Sequence, residues 1–302
     1  MMRHRWLFAM SLLAIAAPGP QSPEPRAVAA VTNARARMPG IERTYNLFYY
    51  DERGARGPGE DIARPARISS LQGELRVAVV GLREGEVDLR VTVRAQAYFE
   101  SSRGSGLHSE SSITQLQATV YVLLDARGAA LVTYFEPGLE PWKRDILRSI
   151  VAASQFVRPE VQGEKGETWR TQELDVTGAY AARYQHHPSV HPYRKYQRTK
   201  EHYLRLSRPD GLHPLAASVQ VSLNARTDFY LGEDTWPELV EAREYRAMTS
   251  TVGEVPPSAQ KLSMTLSRVT SRRAPELIGA LELQRPRLDA VPLSTRVLVP
   301  GG

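Results

Sequence analysis

Three groups of residues in this 302-residue chain have types and spacings that could do chemistry. The first is His186-His187-Pro188-Ser189-Val190-His191, with His202 downstream. Two or three imidazoles in one loop can hold zinc or copper, given a further ligand and partners that fix the ring tautomers. Pro188 and Pro192 predict a solvated hairpin tip instead, so a metal site at His186, His187 and His191 is the alternative reading. The second group is Glu173 and Asp175, two apart and therefore on one side of a strand, a spacing that a carboxylate pair for glycoside hydrolysis could use. An exposed polar strand face accounts for them as well. The third is Gly104-Ser105-Gly106, which lies in a Ser-rich turn and lacks the strand-to-helix setting of a nucleophile elbow. Phosphate-loop and dinucleotide patterns are absent, and there is no cysteine to supply a thiol nucleophile or thiolate metal ligand. The sequence therefore predicts neither an enzyme nor a cofactor.

The remaining chemistry is that of binding. Tyr193-Arg194-Lys195-Tyr196-Gln197-Arg198-Thr199-Lys200-Glu201-His202-Tyr203 is basic and aromatic, as a surface for anionic headgroups, polysaccharide or nucleic acid would be. An exposed strand with one charged face explains it equally, and no nucleic-acid partner is expected. Trp142, Ile146, Leu147, Ile150 and Val151 share one arc of a helix over 142–154, with Arg144, Asp145, Arg148 and Ser149 opposite. Trp142, Ile146 and Ile150, with Phe156 and Trp169 just beyond, are the residues expected to hold an apolar ligand. The same arc could make peripheral contact with a membrane.

These residues hang on strands. Val87 to Phe99 alternates apolar and polar over thirteen residues, beyond the usual strand length of about 5–6. Tyr45 to Tyr50, Leu71 to Val79, Ala118 to Leu124, Ala129 to Phe135, Trp169 to Asp175, Ala179 to Gln185, Arg194 to Ser207, Val219 to Tyr230, Lys261 to Ser271 and Leu277 to Gln284 read as further strands. Asp125-Ala126-Arg127-Gly128 reads as a hairpin turn. Thr235-Trp236-Pro237-Glu238 has the spacing of a capping box and predicts a second short helix over 236–246. The expected fold is mainly β: a large antiparallel curled sheet or β-barrel with one inserted amphipathic helix. It should form a single domain over 41–285, followed by an irregular tail, 286–302.

The start of the chain predicts export. Arg3 and Arg5, the apolar run Trp6 to Ile15 and the small residues near Ala16 have the order of a secretory signal over 1–16. That run is shorter than the roughly 20 apolar residues of a spanning helix. A Pro/Ala/Arg-rich leader, 17–40, follows. The cations are 34 Arg and 5 Lys, a bias that looks like that of a GC-rich bacterial genome rather than a nucleic-acid signature. A periplasmic or extracellular location is expected.

Lys143-Arg144-Asp145-Ile146-Leu147 after a strand, then Glu173-Leu174-Asp175-Val176-Thr177-Gly178-Ala179-Tyr180 with Tyr184, resembles the N-terminal β module of the large lipid transfer proteins: vitellogenins, microsomal triglyceride transfer protein and apolipoprotein B. The layout of residues 42–230 is similar to that module, and the specific residues lie in 142–184. Two departures are visible. The family usually has a cysteine where Tyr180 stands, and the long helical arch and additional sheets that enclose its lipid are missing from this chain. The resemblance implies a barrel wrapped on a helix that contacts protein partners. Two alternatives stay open: a periplasmic lipid or lipoprotein carrier with an apolar pocket between sheet and helix, and an outer-membrane-associated barrel.

Overall fold

The computed structural model describes residues 38–293, apart from 58, 60–61, 84, 104–107, 160–167, 191, 209–210 and 252–256. The expected signal sequence over 1–16, most of the expected leader, Gly104-Ser105-Gly106, His191 and the end of the tail lie outside the described residues.

Alternation becomes structure most plainly in the first half. β1 (Ile41–Arg56), β2 (Ile62–Arg83), β3 (Glu86–Arg103), β4 (His108–Asp125) and β5 (Ala130–Phe135) form an antiparallel meander. Val87, Leu89, Val91, Val93, Ala95 and Ala97 of β3 are buried, as the period of two requires. The β4–β5 turn is held by Asp125, whose Oδ1 accepts from the backbone N–H of Arg127, Gly128 and Ala129 at 2.7–2.9 Å. Gly128 sits there at φ +101°, open to glycine at little cost.

Helix α1 (Pro141–Ser154) then crosses to the second half. Pro141 starts it without loss, because the first helical N–H needs no intrahelical partner. β6 (Thr168–Leu174), β7 (Gly178–Val190) and β8 (Tyr193–Arg208), with short β9 (Gly211–Pro214) beside β8, precede β10 (Val219–Leu231), β11 (Pro237–Ser250) and β12 (Ser258–Arg273). β12 pairs with β1 and joins the halves. With β13 (Asp289–Pro292), the spatial order is β13-β5-β4-β3-β2-β1-β12-β11-β10-β8-β7-β6, with β9 on β8, a mainly β, open antiparallel sheet of 13 strands curled around α1.

Beyond the end of β13, the start of β5 faces β6 at the other end of the strand order, and one side chain spans the seam. Ala130 N–H of β5 donates to Gln155 Oε1 (3.1 Å), and Gln155 Nε2 donates to the Leu174 carbonyl at the end of β6 (3.0 Å). A side-chain amide, with one donor end and one acceptor end, here stands in for ladder hydrogen bonds.

Four sequence expectations are corrected. Residues 236–246 are strand, not helix: Val240 and Ala242 are buried while Glu241 and Arg243 are exposed. Thr235 is left-handed (φ +58°), the Trp236 N–H is bound by Asp234 (3.1 Å), and Glu238 pairs with Arg268 instead of closing a capping box. Second, Leu277–Gln284 is not a strand; it carries a 3-10 turn and α2 (Ala280–Gln284). Third, the tail is not irregular throughout, because β13 (Asp289–Pro292) pairs with β5. The fourth follows from that strand. Arg148 and Ser149 do not face solvent: all of Ile146–Ala153 is buried, and Arg148 Nη2 donates to the Pro292 and Leu293 carbonyls laid over the helix. The helix is covered on all sides over 146–153.

Candidate functional site

At the C-terminal end of α1 two of the sequence-predicted apolar residues, Ile150 and Phe156, come together. Ile150, Val151 and Phe156 form one wall of an apolar cavity of about 110 Å³. Leu75, Val87, Leu89, Val91 and Val122 form the opposite wall, and Trp236, Pro237 and Val240 close one end. The β10–β11 turn that carries Trp236 is latched by charge. Arg43 stacks on the Trp236 ring (4.4 Å) and pairs with Asp234 (3.1 Å), which Arg268 also reaches (2.8 Å). Burial pulls the Arg43 pKa down against the pull of Asp234. Burial raises the Asp234 pKa, but the Trp236 N–H and the Arg268 and Arg43 guanidinium groups more than reverse it and hold the carboxyl low.

Of the five apolar residues, Ile150 and Phe156 line this cavity. Ile146 belongs to the solid core. Trp142 lies at the opposite end of the helix, edge-on to Phe99 at 4.6 Å. Trp169 stacks on Tyr184 (4.9 Å) in an aromatic cluster with Phe156, Tyr196 and Phe229, and its indole N–H donates to the Val157 carbonyl. Of the described candidate histidines, His186 packs on Tyr196, and His187 Nε2 bonds Gln197 Oε1 at 3.0 Å. Among the described residues no group of three metal-ligating side chains occurs.

The strand pair Glu173 and Asp175 overturns the reading of an exposed polar face. Glu173 is 1% exposed and Asp175 3%, and they meet Arg198 (1%) and Lys200 (7%) of β8. The Tyr193–Tyr203 strand therefore turns its Arg198-Lys200-Tyr203 side inward. Arg198 pairs with Glu173 (3.2 Å) and donates to Thr227 Oγ1 and to the carbonyls of Ala152, Ala153 and Gln155. It thereby satisfies the last carbonyls of α1, where the helix dipole favours a cation. Tyr180 O–H donates to Glu173 (2.8 Å) and accepts from Gln155 Nε2 (3.0 Å). Burial pushes the Tyr180 and Tyr184 hydroxyls well above their ordinary pKa.

A second network adjoins. Lys200 Nζ is 2.6 Å from Asp175 Oδ2 and 2.6 Å from Glu244 Oε2, and Tyr203 O–H donates to Asp175 Oδ2 at 2.8 Å. Arg246 donates to Tyr203 O–H, Thr177 Oγ1 and Gln260 Oε1, and Gln260 Nε2 donates to Asp51 (2.6 Å). Burial opposes both charges, yet Lys200 and Arg246 hold the Asp175 pKa down, while Asp175 and Glu244 hold the Lys200 pKa up.

Gln155, Glu244 and Arg246 are the residues that sequence reasoning missed, while Arg198 and Lys200, read as part of an exposed basic strand face, are buried. One signal was present: Glu173 and Asp175 are two apart, and so are Arg198 and Lys200, as two facing strand sides would have them. Nothing local marks Glu244 or Gln155.

No family model matches the chain, and no curated protein matches it. Among solved structures it is similar to one of lipovitellin, described as concerning lipid–protein interactions, with a TM-score of 0.50 and 14% identity. The likeness covers 79% of this chain and 26% of that one, so the chain spans about a quarter of the length of the lipovitellin chain. At this identity the relationship is a distant one, of fold alone, and it agrees in kind with the vitellogenin-like layout read from the sequence.

Proposed function

We propose that this protein is an exported, non-enzymatic interaction module that binds a protein partner through its outer surface and carries no lipid inside. One observation carries the reading: among the described residues, the space between sheet and helix is nearly filled. The apolar cavity of about 110 Å³ lies well below the roughly 300–1,000 Å³ of ordinary small-molecule pockets. The rest of the space inside the sheet holds α1 and two networks of buried ion pairs. An acyl chain would have to displace these groups and leave buried charges unpaired, which costs several kcal/mol for each.

The carrier reading has one observation in its favour: the cavity is apolar, lies between sheet and helix, and is closed by a turn that holds Trp236. A membrane-embedded barrel fits less well, because a lipid-facing sheet must close on itself and this one has two edges. Titration with a fluorescent fatty acid separates the first two readings. The interaction module gives no saturable signal, whereas saturable one-to-one binding would overturn it.

A further inference from the structure

Away from the apolar cavity, Lys200, Asp175 and Glu244 meet inside the sheet as a nucleophile, an electrophile and a proton acceptor. Lys200 Nζ lies 2.6 Å from Asp175 Oδ2, and so next to the carboxyl carbon that carries that oxygen. Glu244 Oε2 is also 2.6 Å from Nζ, on a different strand. Asp175 Oδ1 accepts from two backbone N–H groups, Thr177 (2.7 Å) and Gly178 (3.0 Å). Paired backbone donors on one carboxyl oxygen are what an oxyanion hole provides. The other oxygen, Oδ2, accepts from Tyr203 O–H at 2.8 Å, and Arg246 in turn donates to that hydroxyl at 3.0 Å.

From this arrangement we propose that Lys200 and Asp175 condense spontaneously into an intramolecular isopeptide bond, with Glu244 relaying the protons. The balance is internal. Glu244 takes a proton from the ammonium, the freed Nζ lone pair attacks Asp175 Cγ, and negative charge gathers on Oδ1 between the two backbone N–H groups. Glu244 passes that proton to Oδ2, takes the second proton from the nitrogen and passes it on in turn. Oδ2 breaks away from Cγ as water, while Tyr203 keeps its proton and hydrogen-bonds the departing oxygen. Ammonium plus carboxylate becomes amide plus water, so no oxidant, cofactor or co-reactant is required.

Burial of both charges favours that outcome, against the ion pairing that holds Lys200 protonated and Asp175 ionised. Lys200 and Asp175 are both under 10% exposed, and Lys200 Nζ lies over the Tyr180 ring at 4.5 Å, so water has little access to reverse the step. Condensation removes one buried cation and one buried anion together, and leaves Glu244 facing Arg246 at 3.7 Å. The turn is built for the approach: a Cβ on Gly178 would lie 2.0 Å from the Arg205 carbonyl, so only glycine lets residues 175–178 come this close to β8. The bond would tie the turn beside edge strand β6 to β8, in a chain with no cysteine to form a disulfide.

Mass spectrometry of tryptic digests of the purified full-length protein tests this. The expected product is one species, Thr171–Arg183 joined to Thr199–Arg205, lighter than the two peptides by one water and uncut after Lys200. Recovery of the separate peptides, with cleavage after Lys200, would overturn the proposal on the wild-type protein alone. K200R should show no linked species. E244Q, folded by circular dichroism, should link at least tenfold more slowly, and linkage at the wild-type rate would remove Glu244 from the mechanism.

Discussion

Replacing Arg198 with methionine tests the join between helix and sheet. Arg198 is 1% exposed and donates to Glu173, Thr227 and three carbonyls at the end of α1. Methionine fills most of the volume but leaves Glu173 buried without its cation, for which about 3–5 kcal/mol is the usual cost. Tyr180 and Thr171 still donate to Glu173, which favours the lower part of that range, while the uncapped helix carbonyls add to it. For a domain of this size each kcal/mol lowers Tm by roughly 2–4 °C, so a fall of about 6–20 °C is expected. Urea denaturation at constant m-value gives the free energy directly. R198M/E173L, which removes both charges, should recover at least about 1 kcal/mol of what R198M loses. If R198M stays within about 1 kcal/mol of wild type, or the double variant is weaker than the single, Arg198 does not join helix to sheet.

Gln155→Ala should unseal the seam and cost about 1–3 kcal/mol, since the Ala130 N–H and Leu174 carbonyl lose a buried partner; hydrogen exchange at Ala130 should speed up, and unchanged exchange would refute the role. Gly178→Ala forces the turn away from Arg205 and should destabilise by about 1–3 kcal/mol or more, read as a lower urea midpoint. The depressed pKa of Asp234 predicts acid sensitivity: its folded carboxylate is favoured over the unfolded one, so its stabilisation is present above the ordinary carboxylate range and is lost as pH falls through its lowered pKa. Asp234→Asn should flatten stability against pH in that acid window, and an unchanged slope would exclude Asp234 as its source.

Much of the strand framework was legible because period-two alternation is a local signal. Val87 to Phe99 carried its own buried face, and Asp125 to Gly128 its own turn chemistry. What misled were places where a distant partner decides. Pro237 and Glu238 have helix-start chemistry, but pairing to β10 and β12 on both sides makes the segment a strand. Arg148 lies on a polar helical arc, and only β13, more than 140 residues away, puts it under cover. The acidic and basic strand sides looked solvated for the same reason: each is polar alone, and their mutual burial depends on β6, β7 and β8 being neighbours.

Native mass spectrometry of the protein purified from its own host addresses the central claim most directly. A filled interior predicts the chain free of any lipid adduct, and one acyl lipid retained per chain would contradict it.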